Sequence, residues 1–106
     1  MKEFSIMPQN MNYSTTRFPG SERHEIFEGF ISKNRKYSIE DGLVIFITPE
    51  IHRTGKYSIH RAPKEWVWLK ELAEKTWCEY YHKTTKDFSK RYGRNYIWTK
   101  LCYWVD

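Results

Sequence analysis

The sequence predicts a single α+β domain: a strand–strand–short helix core, followed by a long amphipathic helix and a second short helix. Three observations predict it. The apolar run Leu43-Val44-Ile45-Phe46-Ile47, entered through Asp41-Gly42, is the strongest strand in the chain. Beyond Ala62-Pro63, the residues Trp66, Leu69, Leu72, Ala73 and Trp77 recur at the spacing of one helix face. Three of the four histidines, His24, His52 and His60, fall on the first strand, the short helix and the loop after it. A length of 106 residues suits one domain with one modest core.

In chain order, residues 1–20 form a polar arm with Pro8, Pro19 and Gly20 and no clear period, expected to be irregular or to add a short edge strand. The domain proper then runs over residues 21–106. Residues 22–27 read as a short strand ending at Gly29, and a polar loop is expected through Ser32, Lys33, Asn34, Arg35 and Lys36. The two strands thus make a hairpin with a long loop. Thr48-Pro49-Glu50 is a helix start: threonine caps, proline suits the first helical position, and glutamate suits the positive end of the dipole. His52 sits on that first turn, which stops at Thr54-Gly55. The long helix runs to about His82, a cation suited to a helix C-terminus, and Trp68 lies off its apolar line, exposed for a partner. A second helix begins at Thr84-Thr85 with Asp87 completing a capping box, and ends at Gly93. The aromatic tail, residues 96–105, is ambiguous between strand and helix.

Composition narrows the function classes. Aromatics make up 18% of the residues, which lets a short chain bury much area per residue. The net charge of +5 leans toward an acidic partner, either a polyanion or an acidic protein surface. Cys78 and Cys102 lack ligand or disulfide-framework spacing, so both are expected as core thiols in a reducing setting. No secretory leader opens the chain, and its longest apolar run is too short to cross a membrane, so a cytoplasmic protein is expected.

The histidines point to a divalent metal, most naturally zinc, because imidazole suits zinc and its neighbours. Three protein ligands with an open fourth position is the pattern of a catalytic site, and four ligands that of a structural one. Water, Glu25, Glu50 and Asp41 are all open as the fourth ligand. Each histidine has an ordinary alternative as a surface or core residue. Around them lie two basic groups, Arg23, Lys33, Arg35 and Lys36, and Arg53, Lys56, Arg61 and Lys64. These are either solvated charge or a rim that guides phosphate or a partner.

The stretches His24-Glu25-Ile26-Phe27-Glu28-Gly29, Arg35-Lys36-Tyr37-Ser38, Gly42-Leu43, Thr48-Pro49-Glu50-Ile51-His52, Ser58-Ile59-His60 and the run from Phe88 to Tyr96 resemble the HNH, or ββα-metal, nucleases. They are most similar to small HNH-like proteins of bacteriophages and prophages of Gram-positive bacteria. The resemblance covers about residues 22–93 and implies a ββα-metal core with His24, His52 and His60 as ligands. It places Glu25 in the slot of the general-base histidine. It also shows departures: the middle asparagine would fall near Asp41-Gly42, with Asn34 the nearest, and Glu28 puts a carboxylate where phosphate should approach. The ligands survive while the chemistry looks eroded. The resemblance therefore implies a phage-encoded, zinc-built binding protein that blocks a host defence nuclease such as a CRISPR effector. The alternatives are an active single-metal nicking endonuclease on DNA with Glu25 as base, and a DNA binder without catalysis.

Overall fold

Two short strands, β1 (Glu22–Glu25) and β2 (Val44–Ile47), pair antiparallel with Glu22 opposite Ile47 and Glu25 opposite Val44. The structure is a computed structural model that describes residues 3–28 and 32–97. Cross-strand partners share a face. One face of the sheet carries Glu22, His24, Ile45 and Ile47, and the other carries Arg23, Glu25, Val44 and Phe46. Leu43, Ile45 and Ile47 join Leu69, Ala73, Trp77, Phe88 and Tyr92 in the main core. Against the other face lies the N-terminal arm. Ser14 exchanges backbone hydrogen bonds with Phe46 at 3.0 and 2.8 Å, Ser5 Oγ donates to the Val44 carbonyl, and the Arg17 guanidinium lies 5.1 Å from the Phe46 ring centre. Cover on both faces explains why β2 is an unbroken apolar run where a one-sided strand would alternate. Apart from isolated bridges the arm is irregular, as expected, but Met7 and Tyr13 anchor it in the shared core.

The connection between the strands differs from the expected polar loop. It contains a helix, α1 (Ser32–Asp41). Its buried residues Asn34, Ser38 and Asp41 stand at i, i+4 and i+7, so the face turned inward is polar. Asn34 Nδ2 donates to the Tyr92 carbonyl, and Ser38 Oγ accepts from Phe27 N–H. Asp41 accepts from Trp77 Nε1, Tyr92 OH and both Nε and Nη2 of Arg91, at 2.7 to 2.9 Å. Apolar periodicity is blind to a helix held this way. Gly42 ends it at φ 79°, where an added Cβ would also stand 2.7 Å from the Phe4 ring.

After β2 comes a five-residue helical turn, Glu50–Thr54, with Thr48 Oγ1 accepting from Ile51 N–H at 3.3 Å. A tight turn at Pro63–Trp66 leads into α2 (Val67–Tyr81), which buries Leu69, Ala73 and Trp77. Burying a side chain the size of Leu69 contributes about 1.5–3 kcal/mol. Trp68 is not left out for a partner: it packs partly against the core, its ring 5.5 Å from that of Trp66. His82 takes the left-handed conformation that ends α2. The last helix, α3 (Thr85–Tyr92), begins with the predicted capping box between Thr84 and Asp87 and stops at Gly93, φ 78°. Cys78 is a fully buried thiol, whereas Cys102 and residues 98–105 of the aromatic tail lie outside the described residues. No helix among the described residues is long and apolar enough to cross a membrane.

Candidate metal centre

Three separate pieces of chain deliver the three histidines to one place. His24 comes from β1, opposite Ile45 and on the core face. His52 is the third residue of the helical turn. His60 is brought beside it by backbone pairing, with Ile59 N–H donating to the Ile51 carbonyl at 2.8 Å and His60 N–H to the His52 carbonyl at 3.1 Å. Gly55 makes this fold-back possible, because its N–H reaches the Glu50 carbonyl at 2.8 Å and a Cβ there would stand 2.7 Å from the same oxygen. Ser58 Oγ ties the loop to the Arg53 carbonyl at 3.0 Å.

One ligand atom from each histidine lies within 4.8 Å of one from each of the others. The Nε2 atoms of His52 and His60 are 3.0 Å apart. His52 Nδ1–H donates to Glu22 Oε1 at 2.8 Å, because a carboxylate can only accept. That bond fixes the tautomer and leaves the Nε2 lone pair of His52 facing His60. Burial, then the neighbouring imidazoles, with Lys70 and Arg53 after them, push the His24 pKa down to about 3. Burial also lowers that of His60. Both effects favour the neutral imidazole, the form that binds metal.

A divalent cation fits this arrangement. His24 Nδ1 is buried and has no hydrogen-bond partner among the described residues. Two imidazole nitrogens at 3.0 Å share at most one proton between them, whereas a cation satisfies both lone pairs. Ligands on a tetrahedral zinc, with bonds of about 2.0–2.1 Å, lie roughly 3.3 Å apart. The Glu22–His52 pair is the carboxylate–histidine arrangement that orients metal ligands. His24, His52 and His60 would hold the ion, which would supply charge neutralisation and Lewis acidity at an open position, or a structural cross-link if closed.

The other predicted residues are placed differently. Glu25 is buried on the opposite sheet face from His24, and its two oxygens accept from Arg23 Nε at 2.8 Å and Arg35 Nε at 3.0 Å. Asp41 is engaged at α1, α2 and α3, and Glu50 is exposed on the turn. The basic residues do not form one rim. Arg23 and Arg35 are drawn to Glu25, Lys36 stands 3.9 Å from Glu40, and Lys33 lines a separate cleft with Tyr37, Tyr81 and Lys90. Arg53 is close enough to push His24 and His60 down. Lys56 lies against the Tyr57 ring, Arg61 donates to the Thr54 carbonyl, and Lys64 is exposed on the Pro63–Trp66 turn.

Two residues at the centre, Glu22 and Lys70, escape the sequence reading, and a third, Glu28, enters it only as a carboxylate opposing phosphate. Glu22 is two positions before His24, the strand spacing that puts it on the same face. Lys70 and Glu28 join His24, His60, Ile59 and Trp66 around a cavity of about 190 Å³ beside the histidines. Lys70 was invisible because it reads as an ordinary polar position of an amphipathic helix. No family model, curated protein or solved structure matches this chain. The functional reading accordingly rests on the centre itself.

Proposed function

We propose that this chain is an HNH-like protein whose divalent metal, zinc by its ligand types, builds a binding scaffold while nuclease chemistry is eroded. The observation that carries the reading is the contrast on β1. His24 turns toward His52 and His60, whereas the carboxylate of Glu25 turns to the other face with both oxygens held by guanidiniums. A general base needs a lone pair within reach of the water it activates. The antiparallel pair β1–β2, joined through α1 and followed by a helical turn, with candidate ligands on the first strand, the turn and the loop after it, supports the HNH-like assignment. Exposed cations such as Arg53, Lys56 and Lys64 would supply the contact surface. The partner suggested by the resemblance is a host defence nuclease of the RNA-guided kind.

The test is a metal analysis of the loaded protein and its incubation with supercoiled DNA in magnesium, manganese and zinc, alongside His24→Ala and Glu25→Ala. The expected result is one bound metal per chain and no nicking that depends on His24. Nicking abolished by both His24→Ala and Glu25→Ala would replace the scaffold with an active endonuclease. A partner complex should tolerate salt, whereas simple DNA binding weakens steeply as salt rises.

A further inference from the structure

We infer that Glu28 is the fourth ligand of the three-histidine centre, closing the position that a catalytic metal leaves to water. The inference rests on the metal reading above and deepens it. Glu28 Oε1 stands 3.2 Å from His60 Nε2, and that nitrogen is 3.0 Å from His52 Nε2. Because Glu22 fixes the Nδ1–H tautomer of His52, the groups facing His60 Nε2 are a lone pair and a carboxylate. A single imidazole proton serves two such acceptors poorly, and a divalent cation serves them together. Glu28 also lines the cavity beside the centre with His24 and His60, so its carboxylate stands on the side from which water or a phosphate would enter.

Among the other candidate carboxylates, Glu50 is exposed on the helical turn and the rest are committed elsewhere. Glu22 accepts from His52 Nδ1, Glu25 is held by Arg23 and Arg35, and Asp41 is held by Trp77, Arg91 and Tyr92. Glu28 is not within the trio whose ligand atoms all lie within 4.8 Å of one another. Its side chain is about a quarter exposed and closes the set by rotating from His60 toward the other imidazoles. Lys70, on the same cavity, is a competing cation whose charge interacts with Glu28 without forming a close ion pair. Three imidazoles and one carboxylate form a closed, mixed nitrogen and oxygen set suited to zinc.

The experiment loads the full chain with cobalt(II), whose visible spectrum reports its ligands, and measures zinc affinity by competition with a chromogenic chelator. Wild type is compared with Glu28→Gln, Glu28→Asp and Glu25→Gln. The expected result is an affinity loss of about 10- to 100-fold in Glu28→Gln. Its cobalt spectrum should also shift on adding thiocyanate, with neither change in Glu25→Gln and partial recovery in Glu28→Asp. Equal affinity and spectra in wild type and Glu28→Gln, both equally sensitive to thiocyanate, would overturn the Glu28 assignment and leave a three-ligand centre standing. A wild-type chain that takes up no metal at all would overturn the centre itself.

Discussion

At the scale of single residues, buried carboxyls decide more of this protein than its exposed charges do. Glu74 on α2 is fully buried, with Oε1 accepting from Tyr96 N–H at 2.7 Å and Oε2 lacking a hydrogen-bond partner among the described residues. Burial raises its pKa to about 7, against the backbone hydrogen bonds from Tyr96 and Ile97 that lower it. A raised carboxyl pKa means the folded state holds the proton more tightly than the unfolded state. Its stabilising effect is complete below the ordinary value of 4.5 and is lost as pH rises through about 7. At about 1.4 kcal/mol per unit, roughly 3 kcal/mol of stability should disappear between about pH 4.5 and 7. His24 acts in the opposite sense, because its lowered pKa makes stability rise with pH up to about 6.5. Urea midpoints of wild type and Glu74→Gln across this range separate the two. Between about pH 4.5 and 6.5 the wild-type midpoint should stay nearly level, because the two effects oppose each other, while that of the variant rises; parallel curves would remove the role given to Glu74.

At the scale of elements, α1 shows what apolar patterning misses. A helix rich in lysine, arginine, serine and asparagine has no amphipathic stripe, yet its inward face is fixed by hydrogen bonds from Asn34, Ser38 and Asp41 to three other parts of the chain. Asp41 is the strongest of these links, since Arg91 grips it with two nitrogens while Trp77 and Tyr92 donate to it. Removing one partner from a largely buried ion pair leaves the other uncompensated. Asp41→Ala should therefore cost about 3 kcal/mol in chemical denaturation, and a loss below about 1 kcal/mol would mean that α1 is held by something else. By contrast, α2 and α3 were legible at their starts and stops, because Pro63, the Thr84–Asp87 capping box and Gly93 act locally. The polar loop expected in place of α1 failed because the partners of Asp41, namely Trp77, Arg91 and Tyr92, lie 36 to 51 residues away.

At the scale of the whole molecule, the centre joins β1 to the helical turn and the loop after it, so a bound metal would cross-link segments far apart in sequence. Metal bound only by the folded state adds its binding free energy to folding, about 2.7 kcal/mol at a hundredfold excess over Kd. Chelation should lower the melting temperature by roughly 10 °C in a domain of this size. An unchanged melting curve would remove the scaffold role of the metal. The sequence by itself determined the strongest strand, the two C-terminal helices and the histidine trio, because turn chemistry, capping and residue type act over a few positions. Only the tertiary structure decided that the arm covers the second face of β2 and that α1 is a helix with a polar inner face. It also decided that Glu25 turns away from the histidines while Glu22 and Glu28 turn toward them. Strand alternation already separates Glu25 from Glu22 and His24, but which face meets His52 and His60, and what covers the other, depends on partners dozens of residues distant that no local pattern records.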